Sequence, residues 1–334
     1  MKFGIFLATQ WPEQASLADE INNLAAQVRC AKDNGFSSIW VGQHVLSHPL
    51  QMIQTMPLLA RLSAEGEGMT FGSCVVLLGM MNPVLVAEEA ASLDWMTGGR
   101  FVLGAGIGYR EEEFAAMNVP FKERLSRFEE AVPLIRKLWA QEMVSHAGEH
   151  FTVDNAGASI RPHNGESLPI WIGAQVPRAV RRAARIGDVW LPSSIPDLAT
   201  LEYFFKVYRE ERVAVGLPAL PSGQPMIREC FVGATRQAAM AVARKPLLEK
   251  YESYASWGEP GDAGGTSSLA EEFDDFMATR FVVADEAEAT DTFQQYAEQF
   301  GIEHLILRVQ WPGLEQAEAI GCIERLGRVV AKLG

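Results

Sequence analysis

Three short stretches of the 334-residue chain carry residue types that can do chemistry. In SSIWVGQHVLSH, His44 falls just past an apolar run. An imidazole at the end of a buried strand can act as a general base or hydrogen-bond a bound ring. The same position also suits an ordinary loop histidine. His48 follows four residues later, and two histidines without a nearby carboxylate are a poor metal set. In GGRFVLGAGIGYREEEF, Gly104, Gly106 and Gly108 alternate. This is not the G-x-G-x-x-G of a dinucleotide fold, and it does not follow a first strand. Alternating glycines at a strand end let a ligand lie against bare backbone. The three glutamates after them read as a helix start favoured by its dipole. In IWIGAQVPRAVRRAARIGDVWL, Pro177 stands as the first residue of a helix. Free N–H groups around Gly173, Ala174 and Gln175, together with the dipole, make an anion seat there. Arg178 lies in the first turn and can reach that anion. Arg181, Arg182 and Arg185 come one and two turns later, and are expected on an outer, solvated or ion-paired face.

Other positions are less specific. Gly72, Ser73 and Cys74 permit close approach of a flat ring, or equally the tight packing of barrel layers. Ser193 and Ser194 can hydrogen-bond a ligand, and Trp311 can wall an apolar pocket or simply pack. The chain has no G-x-S-x-G, no H-E-x-x-H and no P-loop, and no lysine follows a candidate strand in Schiff-base fashion. A mouth with glycines, one histidine and a phosphate-type helix start points to chemistry carried by a cofactor.

The elements that must position these residues alternate along the chain. Apolar runs at Lys2–Ala8, Ser37–Val41, Thr70–Leu77, Arg100–Ala105, Leu168–Ile172, Asp188–Leu191, Met226–Val232 and His304–Val309 read as parallel strands covered on both faces. Amphipathic stretches between them read as helices, and a last one spans Leu314–Leu333. This is the count of a (β/α)8 TIM barrel, expected as a single domain over 1–334. A doubly wound sheet would want a glycine-rich first turn, where this chain has TQWPEQ. Two polar segments, 146–166 and 251–280, exceed a minimal barrel. The second is expected to be an active-site insertion or lid late in the barrel, or a linker.

Composition narrows the partners. A formal charge of −13 and a pI near 5.0 argue against nucleic acid and anionic membranes. A nucleic-acid groove would also interleave aromatics with the arginines. Four widely spaced cysteines suit a reducing compartment. There is no apolar run near the roughly 18 residues of a membrane span, and the N-terminus does not read as a signal peptide. A cytoplasmic protein is expected.

The combination SLDWMTGGRFVLGAGIGY, with the run NPVLVAEEAASLDWMTGGRFVLGAGIGYREEEFAAMNVPFKERLSRFEEAVPLIRKLW around it, resembles the bacterial-luciferase-like flavin- and deazaflavin-dependent oxidoreductases. So do SSIWVGQHV before it and PIWIGAQVPRAVRRAARIGDVWLP after it. The resemblance covers essentially residues 1–215 and returns at Glu303–Gly313. It implies a TIM barrel holding an isoalloxazine or deazaflavin ring in its mouth, a non-proline cis peptide at Cys74–Val75, and His44 as the catalytic histidine. It places the cofactor phosphate on Gly173, Ala174 and Gln175 near Arg178, and the rest of the cofactor among Gln43, Ser73, Cys74, Val75, Gly106, Gly108 and Ser193. Two positions depart from the family pattern. An arginine used for the flavin phosphate after the fourth strand is replaced by GIGY, with Arg110 further along. The acidic residue often found before the histidine is Gln43. The expected reaction is oxygenation of a small organic substrate by O2 and reduced FMN supplied by a separate reductase. The alternatives are hydride transfer with the deazaflavin F420, or a non-catalytic flavin-binding barrel. Pairing of two copies through Pro83–Met96 is also expected.

Overall fold

The computed structural model describes residues 1–165, 168–256 and 272–334. Among the described residues the main sheet has ten strands, nine of them in one path: β1 (Lys2–Phe6), β2 (Ser38–Val41), β3 (Thr70–Ser73), β4 (Phe101–Gly106), β5 (Ile170–Gly173), β6 (Val189–Leu191), β7 (Pro225–Val232), β8 (Val282–Ala284) and β9 (His304–Arg308). They run parallel in the order β6-β5-β4-β3-β2-β1-β9-β7-β8. Every residue of β4 and of β7 is buried, as strands covered on both faces require. The sheet curls into a barrel of TIM type, with helices outside.

The helices are α1 (Leu17–Asp33), α2 (Thr55–Ser63), α3 (Pro83–Met96), α4 (Glu111–Ala116), α5 (Arg124–Ala140), α6 (Pro177–Ile186), α7 (Leu198–Ala214), α8 (Arg236–Ser256), α9 (Phe273–Ala278), α10 (Glu286–Phe300) and α11 (Gln316–Leu333). Local chemistry sets their ends. The Asn82 side chain accepts from Val84 N at 2.9 Å, with Pro83 just inside α3. Asp285 and Glu288 close a capping box on α10. No helix among the described residues is long and apolar enough to cross a membrane.

Three features differ from the sequence reading. The run expected as one strand over Thr70–Leu77 breaks at a cis Cys74–Val75 peptide, beyond which Val76–Leu77 pairs with β4. The polar segment 146–166 was expected as a loop, but its first part belongs to an antiparallel hairpin of Val144–Ala147 with Thr152–Ala156. β8 was not anticipated, because three apolar residues carry no period. Half of the expected insertion at 251–280, residues 257–271, lies outside the described residues.

The barrel seam lies between β6 and β7, which share no backbone ladder among the described residues. Side chains bridge it instead. Gln224 Nε2 donates to Trp190 O at 3.0 Å, and Ser194 Oγ donates to Glu229 at 2.9 Å.

The barrel interior holds Trp40 stacked on Trp171, with centroids 4.9 Å apart. Gly72 makes room for this pair, since a Cβ there would lie 2.2 Å from the Trp40 ring. Of the two readings of Gly72, packing is the one observed. Beneath the indoles, Ser38 Oγ meets His304 Nε2 at 2.8 Å and accepts from Trp40 Nε1 at 2.8 Å. Burial, with the nearby charge of Lys2, pushes His304 down from 6.5 to about 3. The unfolded chain therefore binds this proton first as pH falls. The stability tied to His304 is complete above about pH 6.5 and is lost as pH drops toward about 3. Urea unfolding should show stability declining by up to about 1.4 kcal/mol per pH unit below 6.5. The slope should flatten in His304→Gln, and an unchanged slope in that variant would remove the assignment.

Candidate active site

The C-terminal strand ends open into a cavity of about 460 Å3. Its chemistry falls into four parts.

The first part is a wall of bare backbone. Val75 follows the cis peptide and stands beside Gly106 and Gly173, and all three face the cavity. A Cβ on Gly106 would come within 2.6 Å of Val75. Cys74 and Gly108 also line this side. Burial pushes the Cys74 thiol up to about 12, with Arg308 opposing, so it stays protonated and is not a nucleophile. Gly104 has a different job from the one its alternation with Gly106 suggested. A Cβ there would strike Ser73 O at 1.8 Å, so this glycine admits β3 rather than a ligand. Ser73 itself was expected at the cofactor, but it is fully buried outside the cavity lining, and its hydroxyl donates to Gly104 O at 2.8 Å. A side chain committed to the sheet cannot also face the mouth.

The second part is an anion seat. Ala174 and Gln175 lie in the turn after β5, and α6 begins at Pro177 with Val176 as an N-cap that offers no side-chain acceptor. Arg178 stands on the rim. Arg182 was expected to face outward, yet it lines the cavity and reaches Glu129 at 3.6 Å. Positions 178 and 182 are four apart and share a helix face. Arg181 and Arg185 point the other way, both to Glu211. Arg124 at the start of α5 completes the cationic end, its guanidinium 3.8 Å from the Phe121 centroid.

The third part handles protons. His44 Nδ1 lies 3.0 Å from Glu113 Oε1, and the same oxygen accepts from Val45 N at 3.0 Å and from Arg110 at 3.4 Å. Glu113 is wholly buried in α4. An oxygen that already accepts from a backbone N–H and a guanidinium acts as an acceptor toward Nδ1. The Nδ1–H tautomer is thereby selected, and Nε2 is the nitrogen able to take a proton. Tyr109 meets the imidazole edge-on at 5.8 Å. The histidine therefore does have a carboxylate partner, 69 positions away in sequence. Gln43 lines the cavity, but its amide oxygen accepts from Leu77 N at 2.8 Å and so ties two loops together.

The fourth part is a buried ion cluster that sequence reasoning missed. Glu229 on β7 is wholly buried and accepts from Lys250, Trp311 Nε1, Ser194 (2.9 Å), Tyr251 (3.3 Å) and Arg308 (3.5 Å). Burial alone would raise its carboxyl. The charges of Lys250 and Arg308, with hydrogen bonds from Lys250 and Trp311, outweigh that and hold it at about 2. Ser193 and Ser194 both line the cavity, with Ser193 Oγ 3.4 Å from Ile195 N.

A flat wall of backbone, a cationic helix start and a histidine with a fixed tautomer share one cavity. That combination fits a planar redox cofactor carrying a phosphate. Among the residues expected to hold such a group, the structure gathers Gln43, Cys74, Val75, Gly106, Gly108, Gly173, Ala174, Gln175, Arg178 and Ser193 around the cavity, together with His44, and leaves Ser73 outside it.

The family model described as luciferase-like monooxygenase matches residues 1–304. A phthiodiolone/phenolphthiodiolone dimycocerosates ketoreductase of Mycobacterium tuberculosis is 32% identical over 252 residues, 69% of this chain. The match spans 65% of that relative's length. An F420-dependent glucose-6-phosphate dehydrogenase of Nakamurella multipartita is 29% identical over 316 residues, 88% of each chain. Among solved structures, a type II Baeyer-Villiger monooxygenase from the CAM plasmid of Pseudomonas putida, in complex with FMN, superposes with a TM-score of 0.81. Its sequence is 16% identical, over 99% of this chain and 98% of that one.

Proposed function

Because the chain belongs to the luciferase-like monooxygenase family, we propose that its cavity binds a flavin-type cofactor and that His44 moves the proton of an oxidation–reduction on a small organic substrate. The observation that carries this reading is the His44–Glu113 pair, at 3.0 Å, in the same cavity as the bare-backbone wall and the arginine-flanked helix start. When bound, the cofactor supplies the hydride or the electrons. Everything else falls to the chain. Val75, Gly106 and Gly173 give the ring a surface without side-chain obstruction. The start of α6, with Arg178, Arg182 and Arg124, holds the phosphate by N–H donors and charge. Glu113 fixes the tautomer of His44, and Nε2 exchanges a proton with a substrate oxygen.

The finer reading we favour is hydride transfer between F420 and an alcohol–carbonyl pair. It is supported by the F420-dependent relative that matches over 88% of the chain, and by the need of such a transfer for one proton at oxygen. The second reading is oxygenation by O2 and reduced FMN, which would require a separate reductase. It is supported by the family description and by the same cavity. Exposed Leu85, Trp95 and Met96 on α3 support the further proposal that two copies pair through this helix.

Fluorescence titration with FMN and F420, each oxidised and reduced, tests the reading. Binding of either is expected, and binding of neither would sink it. Turnover that survives removal of oxygen supports hydride transfer, and turnover that requires oxygen supports oxygenation.

A further inference from the structure

Among the described residues, Thr9, Gln43, Ser194 and Lys250 are the buried polar side chains that line the cavity. Three of them are committed within the chain. Gln43 accepts from Leu77 N, Ser194 donates to Glu229, and Lys250 pairs with Glu229. Thr9 is only 5% exposed, yet its hydroxyl makes no hydrogen bond to any described residue. Nor is that oxygen among the polar atoms sealed off from the surface, so what it exposes is open to the cavity. A buried hydroxyl without a partner is costly, and the cost is recovered only where a ligand brings the partner. Gln10, also in the lining, has no hydrogen bond from its side-chain amide to a described residue.

Strand register places this pair. Phe6 on β1 is level with Trp40 on β2, and beyond the ladder Leu7 N still donates to Trp40 O at 2.9 Å. Carried on, that register sets Thr9 level with Gln43 and Gln10 level with His44. Neighbouring strands lie about 4.8 Å apart, so the Thr9–Gln10 loop stands next to His44. Backbone pairing of Gln10 with Met52 holds the loop there. The bare wall belongs to β4, β5 and Val75 after β3, and β2 lies between those strands and β1 in the sheet. The cofactor surface is thus on one side of His44 and Thr9 on the other.

A hydroxyl and a carboxamide are both neutral, and each can donate and accept. They match the oxygen of an alcohol or a carbonyl, whereas an ionised group would call for a charged partner. We infer that Thr9, with Gln10 beside it, forms a substrate subsite for a neutral oxygen, so that the substrate carries a second hydroxyl or carbonyl near the carbon whose oxygen faces His44. Its class is a diol or hydroxycarbonyl compound, and Thr9 is the residue that selects it. The inference rests on the reading that puts the reacting oxygen at His44.

Ligand-detected NMR titration of the full chain with cyclohexane-1,2-diol and with cyclohexanol tests this. The diol is expected to bind about five-fold tighter, the worth of one added neutral hydrogen bond. The diol is the more hydrophilic of the two, so apolar burial alone would give the opposite order. Thr9→Val keeps the shape of the side chain and should abolish the preference while leaving cyclohexanol affinity as it is. The same variant, free of ligand, should melt at the same temperature as the unaltered protein or higher, because it sheds an unpartnered buried hydroxyl. Equal binding of the two probes, or binding of neither, overturns the inference, and that comparison needs no variant to fold. A diol preference that survives Thr9→Val overturns it, and so does a lower melting temperature, which would give the hydroxyl to the fold. Titration of Thr9→Val with FMN and F420 should match the unaltered protein, and loss of cofactor affinity there would assign Thr9 to the cofactor and overturn it as well. Failure of the unaltered protein to bind either cofactor, with the diol preference and its dependence on Thr9 intact, sinks the cofactor reading alone.

Discussion

Replacing His44 with alanine is expected to lower kcat by about 10²–10⁴-fold, the usual worth of a positioned general acid or base, with cofactor affinity retained. The reason lies in the division of the cavity. The anion seat and the bare wall are built from α5, α6, β4, β5 and Val75 after β3, whereas the His44 imidazole is held by Glu113 on α4. Losing the imidazole removes the proton carrier and leaves those contacts in place. Glu113→Gln should lower kcat less, because an amide oxygen can still accept from Nδ1–H. The decisive comparison is the double variant. Since Glu113 acts on the reaction through His44, His44→Ala combined with Glu113→Gln should be no slower than His44→Ala alone. Additive losses would assign Glu113 a separate role, and undiminished turnover in His44→Ala would remove the histidine from the chemistry.

The parts of this site that were legible in the sequence are those written locally. His44 follows an apolar run directly, and Gly173–Gln175 precede a proline that can only begin a helix, so position alone identifies them. The barrel was legible for the same reason, because its strands are continuous apolar runs. What could not be read are partnerships across the chain. Glu113 is the third of three glutamates opening a helix, and nothing in EEE distinguishes the buried one from its exposed neighbours until the fold brings it to His44. Glu229, Lys250 and Arg308 come from β7, α8 and β9 and share no motif. The one signal within reach was the spacing of Arg178 and Arg182, which puts both on a single helix face. Placing Arg182 with Arg181 and Arg185 on one outer stripe obscured it.

Glu229→Ala is expected to destabilise the fold by about 3–5 kcal/mol, the cost of breaking a buried charge pair from one side. That is a large share of the roughly 5–15 kcal/mol that holds a typical domain together. The carboxylate joins the β6–α7 loop at Ser194, α8 at Lys250 and Tyr251, β9 at Arg308 and the following turn at Trp311. The Ser194 contact crosses the seam that lacks a backbone ladder, and the others tie α8, β9 and the turn after it to β7, so the substitution strips donors from four segments around β7. Buried Lys250 and partly buried Arg308 would then lose the Glu229 carboxylate they share. Replacing Glu229 and Lys250 together by methionine should cost less than Glu229→Ala, because one of the stranded charges leaves with its partner. Acid dependence gives an independent check. With its carboxyl held at about 2 against a usual 4.5, Glu229 contributes stability that is complete above about pH 4.5 and is lost as pH falls toward about 2. The His304 contribution fades at higher pH, from about 6.5 downward. Urea midpoints measured from pH 8 to pH 3 should therefore fall in two overlapping stages, and Glu229→Ala should lose only the lower one. A Glu229→Ala protein within about 0.5 kcal/mol of the unaltered chain would show that these segments are held elsewhere, since that is the range of surface substitutions away from such features.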